Sequence, residues 1–137
     1  MITFNTDDIR FSLPARRKVR NWMKQSIENE MKLPGSVNFI FVSDEVLLKM
    51  NVQYLSHDSM TDVITFDYTE GSLISGDIFI SIPRVRENAV TFAVPFIDEL
   101  HRVMIHGVLH LMGYKDKTKS AKAIMSEKEN FYLLNRW

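Results

Sequence analysis

Apolar positions along the chain follow two periods, and the alternation between them sets out the elements. Residues 1–5 read as a short edge strand. Ser12 can cap a helix with Pro14 in its first turn, and Val19, Trp22, Met23, Ile27 and Met31 then recur at helical spacing. Pro34-Gly35 closes that helix, and the continuous apolar, partly β-branched run 37–42 reads as a buried strand. A second helix begins at Ser43-Asp44, with Val46, Leu47, Met50 and Tyr54 on its apolar side. Residues 63–66 form a third strand. A polar turn around Glu70-Gly71-Ser72 leads through Gly76-Asp77 to a fourth strand at 78–82. Pro83 starts a helix reaching about Ala93, and Pro95 separates it from a helix over 97–112. A last helix over 120–135 buries Ile124, Phe131 and Leu134.

The first three strands are joined through helices and favour parallel pairing by right-handed crossovers. The third and fourth are joined by a short loop and favour antiparallel pairing. The expected architecture is α+β: a small mixed four-stranded sheet packed with about five helices. Helix 97–112 is apolar nearly all round, which makes it the central one. A chain of 137 residues fits a single domain, 1–137, with one core.

Composition adds exclusions. No cysteine is present, which removes disulfides and thiolate metal ligands and suits a reducing compartment. The first residues lack the basic start and apolar run of a signal peptide. No apolar run is long enough to cross a bilayer. These features lead us to expect a soluble, cytoplasmic protein with no membrane partner. Net charge is +0, so no global excess points to nucleic acid. Cations do cluster, however: Arg10, Arg16, Arg17, Lys18, Arg20 and Lys24 follow one another without an intervening acid, and five lysines lie in 115–128. Such zones either attract phosphate or are simply solvated helix faces.

The central helix carries the chemistry. His106 and His110 are four residues apart, which places both imidazoles on one helix face, about 40° apart around the axis. That pair can grip one divalent ion. Gly113 follows where a helix can stop by entering the left-handed region, and Asp116 then returns toward the same ion. Three protein ligands with an open position is the arrangement of a catalytic metal site. In His-Glu-x-x-His metalloproteases the residue after the first histidine is the general base. Here it is Gly107. Glycine inside a helix costs about 1 kcal/mol relative to alanine, so it points to a close approach, by substrate or by neighbouring backbone. The segment therefore has zincin-like ligand spacing without the base. His101 lies about 140° around the helix from His106 and is expected to face elsewhere.

The run His106-Gly107-Val108-Leu109-His110-Leu111-Met112-Gly113-Tyr114 closely resembles the signature of the YbeY family of bacterial rRNA maturation factors. Two further blocks are similar to that family. One is Met50-Asn51-Val52-Gln53-Tyr54, then Asp58, then Thr61-Asp62-Val63-Ile64-Thr65-Phe66; the other is Gly76-Asp77-Ile78. The resemblance implies a metal-dependent, single-strand-specific endoribonuclease. Its expected role is in rRNA processing, at the 3′ end of 16S rRNA, and in ribosome quality control. It implies single-stranded RNA and the small ribosomal subunit as partners, with no DNA expected. His106, His110 and Asp116 are the expected metal ligands, the two histidines acting in catalysis through the metal-activated water. One divalent ion, with zinc favoured, is the expected cofactor.

Departures from the family pattern are specific. Asp116 stands where a third histidine is usual, and Leu55 where an arginine is usual. His57 and Met60 replace the usual lysine and proline. Arg102, Lys115 or Lys117 are candidates to supply the missing cation. Asp77 and Asp62 are candidates to orient imidazoles or loop amides, against ordinary roles as strand-end and turn carboxylates. Tyr54 and Phe66 are candidates to stack bases, with core packing the stronger reading for Phe66, and Asn51 to cap or brace the loop after its helix. Two competing functions share this sequence: a metallopeptidase or other zinc hydrolase, and a non-catalytic ribosome-binding module.

Overall fold

The computed structural model describes residues 1–55 and 61–137. His57, Asp58 and Met60 lie outside the described residues, as does the side chain of Leu55. The elements are β1 (Ile2–Thr6), α1 (Arg16–Asn29), β2 (Leu33–Val42), α2 (Asp44–Leu55), β3 (Val63–Asp67), β4 (Leu73–Ser81), α3 (Ile82–Thr91), α4 (Phe96–Leu111) and α5 (Lys119–Leu134). The fold is the expected α+β arrangement, with a four-stranded mixed sheet and five helices among the described residues.

Strand order is β1-β2-β4-β3. β1, β2 and β4 run parallel, and β3 returns antiparallel along the outer edge of β4. The expected parallel pairing of β2 with β3 does not form, because β4 inserts between them. The hairpin connection then leaves β3 as the antiparallel edge.

The two sheet faces are unlike. Phe39, Phe41, Ile78 and Ile80 point into the larger core with α1, α4 and α5, where Trp22, Met23, Met104 and Ile105 are fully buried. Val42, Leu47 and Ile64 form a smaller core on the other face, with α2. Residues of one strand alternate between these faces, so Asp77 and Phe66 share the α2 side while Val63 and Ile78 share the α4 side.

Several local expectations shift. α1 starts at Arg16 after Ala15 turns through the left-handed region (φ 55°), so Ser12 is not its cap. α1 ends at Asn29, and Met31 is exposed with φ 61°. Pro34-Gly35 lies inside β2, at a register irregularity between Pro34 and Val37, where a strand tolerates proline. A Cβ at Gly35 would come within 2.7 Å of the Ile74 carbonyl oxygen, so only glycine lets β2 meet β4 there. In α5 the buried residues are Met125, Glu129 and Tyr132, while Ile124 and Phe131 are half exposed and Leu134 is exposed. The helix is rotated from its most apolar face because Glu129 and Tyr132 have polar partners inside.

Candidate metal centre

α4 is buried along most of its length, including Leu100, Met104, Ile105, Val108 and Leu109. Its cleft-facing stripe carries Glu99, Arg102, Val103 and His106. These line a cavity of about 300 Å³ together with Asp62 and Val63 at the start of β3, Asp116, and Glu129 of α5.

The turn after α4 brings Asp116 back. Gly113 has φ 99°; its N–H donates to the His110 carbonyl and that of Tyr114 to the Leu109 carbonyl, both at 3.0 Å. This is the paired-bond helix stop that favours glycine. Glu30 accepts a hydrogen bond from the Tyr114 hydroxyl at 2.5 Å and fixes the turn from the α1 side. Tyr132 and Lys128 also donate to Glu30. Burial works against the Glu30 charge, but these three donors hold its carboxyl below the ordinary value. Thr118 caps α5, its hydroxyl accepting from the Ala121 amide at 3.0 Å. Asp116 is thus held between two anchored points.

The result is a compact triangle. His106 Nε2 and His110 Nε2 are 3.0 Å apart. Asp116 Oδ2 lies 3.1 Å from His110 Nε2 and 3.3 Å from His106 Nε2. A four-coordinate ion bound at about 2.0–2.1 Å holds neighbouring ligand atoms roughly 3.3 Å apart, so this donor set fits a divalent ion. All three side chains are partly exposed (21%, 25% and 36%), which leaves the fourth side of such an ion open.

Glu129 has no counterpart in the sequence expectations. Its Oε2 lies 2.6 Å from His106 Nδ1, and its Oε1 accepts from Arg102 at 2.9 Å. A carboxylate on the far ring nitrogen fixes which tautomer a metal-binding histidine presents. Burial disfavours the His106 cation, yet the hydrogen bond and charge of Glu129, with Asp116 and Asp62, leave its pKa raised. The available signal was weak: an acid four residues after Met125, on the stripe that turns inward.

The other candidates separate clearly. Asp62 lines the cavity with a carboxyl raised by burial, and Asn88 donates to it at 3.3 Å. Glu99 is raised by burial and by the neighbouring Asp62 charge. Asp77 is not at the site. It sits on the opposite sheet face and accepts from Asn38 Nδ2 at 2.9 Å, so it cannot orient an imidazole. Phe66 packs edge-on against both Tyr54 and Phe79. Tyr54 is exposed, on the α2 side, and Asn51 is buried in α2. Arg102 reaches the cavity but is committed to Glu129 and Asn130. Lys115 and Lys117 flank Asp116 in the chain and are exposed. His101 is buried against Trp22 and Trp137, and burial together with Arg136 pushes its pKa down to about 4.

Gly107 departs from expectation. It faces neither substrate nor backbone but the sheet: a Cβ there would stand 2.9 Å from Ile78 Cγ2. The space beside it therefore does not admit a phosphate or sugar. It admits no glutamate either, so the peptidase arrangement is closed off by packing.

The family model for endoribonuclease YbeY matches residues 1–136. A curated relative named endoribonuclease YbeY from Flavobacterium psychrophilum is 52% identical over 130 residues, covering 95% of this chain and 92% of its own. Another of that name, from Bacteroides thetaiotaomicron, is 44% identical over 135 residues, covering 98% of each. A Thermotoga maritima protein solved in solution superposes with TM-score 0.67 at 30% identity, covering 100% of this chain and 89% of that one.

Proposed function

This chain belongs to the endoribonuclease YbeY family, and we propose that it hydrolyses phosphodiester bonds of single-stranded RNA at one divalent ion held by His106, His110 and Asp116. The observation that carries this reading is the ligand triangle with its open fourth side. Zinc is the favoured ion, because two imidazoles and one carboxylate form a donor set zinc commonly takes. When bound, the ion supplies a Lewis acid and a water acidified toward neutrality.

The chain's own groups do the rest. Glu129 accepts the Nδ1 proton of His106, leaving Nε2 unprotonated toward the ligand triangle. Arg102 neutralises Glu129 at the cavity wall. Asp62 and Glu99 keep carboxyl groups of raised pKa in the same cavity, where either can pass a proton to a departing sugar oxygen. The exposed Lys115 and Lys117 lie on the chain either side of Asp116 and attract the RNA backbone.

Residues 1–137 act in this reading as one metallohydrolase domain. The proposed substrate in the cell is rRNA: maturation of the 16S rRNA 3′ end and ribosome quality control on the small subunit, in the cytoplasm. The family membership supports this. No helix among the described residues is long and apolar enough to cross a membrane.

The test is metal content and RNA cleavage measured on the same preparations. Wild type should bind one divalent ion and cut single-stranded RNA. His106→Ala, His110→Ala and Asp116→Ala should each lose both, while His101→Ala keeps the ion. Peptide hydrolysis without RNA cleavage, across zinc, manganese and nickel, would overturn the proposal.

A further inference from the structure

A second cavity opens directly beside the metal centre. Its volume is about 410 Å³, and it shares Glu99 and Arg102 with the first cavity as a common wall. Beyond that wall it is lined by Phe92 and Val94 of the loop between α3 and α4, and by Leu133 and Leu134 at the end of α5. Arg136 completes the rim, bonded to Asp98 at 3.0 Å. Phe92 is 62% exposed and Leu134 86% exposed. Phe92, Val94 and Leu134 thus gather exposed apolar side chains around one concavity.

We propose that this cavity receives the unstacked base of a nucleotide flanking the scissile phosphate of single-stranded RNA, an inference that rests on the ribonuclease reading above. Position argues for this occupant. Arg102 and Glu99, on the wall the two cavities share, are four and seven residues before His106 on α4, so the second cavity opens roughly 6–10.5 Å along the helix from the ligand triangle. That is the reach of a neighbouring nucleotide or two on an extended strand. A strand with its phosphate at the ligand triangle passes the Glu99–Arg102 wall if it continues toward the start of α4. Chemistry agrees. Phe92 and the aliphatic walls offer a flat base an apolar surface, and base–aromatic contact is how single strands are held without regard to sequence. Arg102 and Arg136 stand at the rim, where backbone phosphates pass. Each is already paired with a carboxylate, to Glu129 and Asp98, so the binding strength comes from the apolar wall.

The experiment uses the zinc-loaded full chain and a single-stranded oligoribonucleotide whose cleavage position has been mapped. Matched oligomers lack the base on one side of that position or the other. Removing the base on the side that enters the cavity should raise the wild-type KM between about fivefold and a hundredfold, the range of one lost stacking contact. Removing the other base should do much less. Phe92→Ala and Leu134→Ser should each raise KM on intact RNA, with the loss falling on KM more than on kcat. The Phe92→Ala protein should then be indifferent to base removal. Its salt dependence should match wild type, because no phosphate contact is removed. Val90→Ala, an 81% exposed neighbour outside the cavity, should match wild type throughout.

Melting temperature and zinc content of each variant exclude misfolding. Wild-type cleavage with Phe92→Ala and Leu134→Ser indistinguishable from it would overturn the subsite and leave the ribonuclease reading standing. Variants that cleave normally and lose only association with ribosomal proteins would overturn it in the same way. Absence of RNA cleavage by wild type itself would instead sink the ribonuclease reading, and the subsite with it.

Discussion

Replacing Glu129 by glutamine isolates the contribution of a carboxylate that touches no proposed ion. In the native arrangement Glu129 accepts from His106 Nδ1 at 2.6 Å with one oxygen and from Arg102 at 2.9 Å with the other. A glutamine of the same shape has one acceptor and one donor. If its oxygen faces His106, its amino group faces the Arg102 guanidinium, donor against donor. If it flips, the His106 proton loses its acceptor. Either way one charge-assisted bond is lost and the imidazole is less firmly held. Partners of this kind contribute about 10- to 100-fold to metal affinity, equivalent to about 1.4–2.7 kcal/mol. The metal-free fold should be affected much less. The Arg102 side chain is 37% exposed, and an ion pair with one partly solvated member contributes at most about 1 kcal/mol. The assay is a zinc titration against a competing chelator, run beside melting curves of the metal-free proteins. Zinc affinity should fall by the stated factor with little change in metal-free melting. Unchanged zinc affinity would refute the reasoning, because His106 would then need no orienting partner. A large loss of metal-free stability would show that Glu129 is a packing residue instead.

Three other outcomes follow from particular contacts. Asp116→His should keep or tighten zinc binding, since the Gly113 turn already delivers position 116 and its side chain is 36% exposed, leaving room for a ring; loss of zinc would show that Asp116 does not reach the ion. His101 sits at about 4 when folded against 6.5 when free, so between those values the unfolded chain binds more protons. The His101 contribution to stability should be full above about 6.5 and be lost, by about 3 kcal/mol, as pH drops toward 4; denaturant titrations of wild type and His101→Phe across that window should differ by that slope. Gly107→Ala gains about 1 kcal/mol of helix propensity but drives a Cβ to 2.9 Å from Ile78 Cγ2, and overpacking of that kind costs about 1–3 kcal/mol; calorimetry should show net destabilisation, and the same change should cost less when measured in an Ile78→Ala background.

Features legible in the amino-acid order are local ones. Two histidines four apart share a face because a helix turns by a fixed angle per residue. Gly113 ends that helix because few other residues take its φ of 99°. The strand and helix periods point to the fold class for the same reason, and the family signature lies on those same short-range rules. Wherever distant segments had to meet, the outcome was settled by the folded chain. β4 entered between β2 and β3 because sheet order depends on which edges are covered, not on chain order. α5 turned Glu129 inward, against its own apolar bias, because His106 and Arg102 waited there from 23 and 27 residues away. Gly107 pointed to a close approach of substrate or backbone and proved to be a contact with the Ile78 side chain, since a missing side chain does not say what fills its place. Backbone geometry fixes what neighbours along the chain can do, whereas partners across the core are chosen by packing and charge acting on all the elements at once.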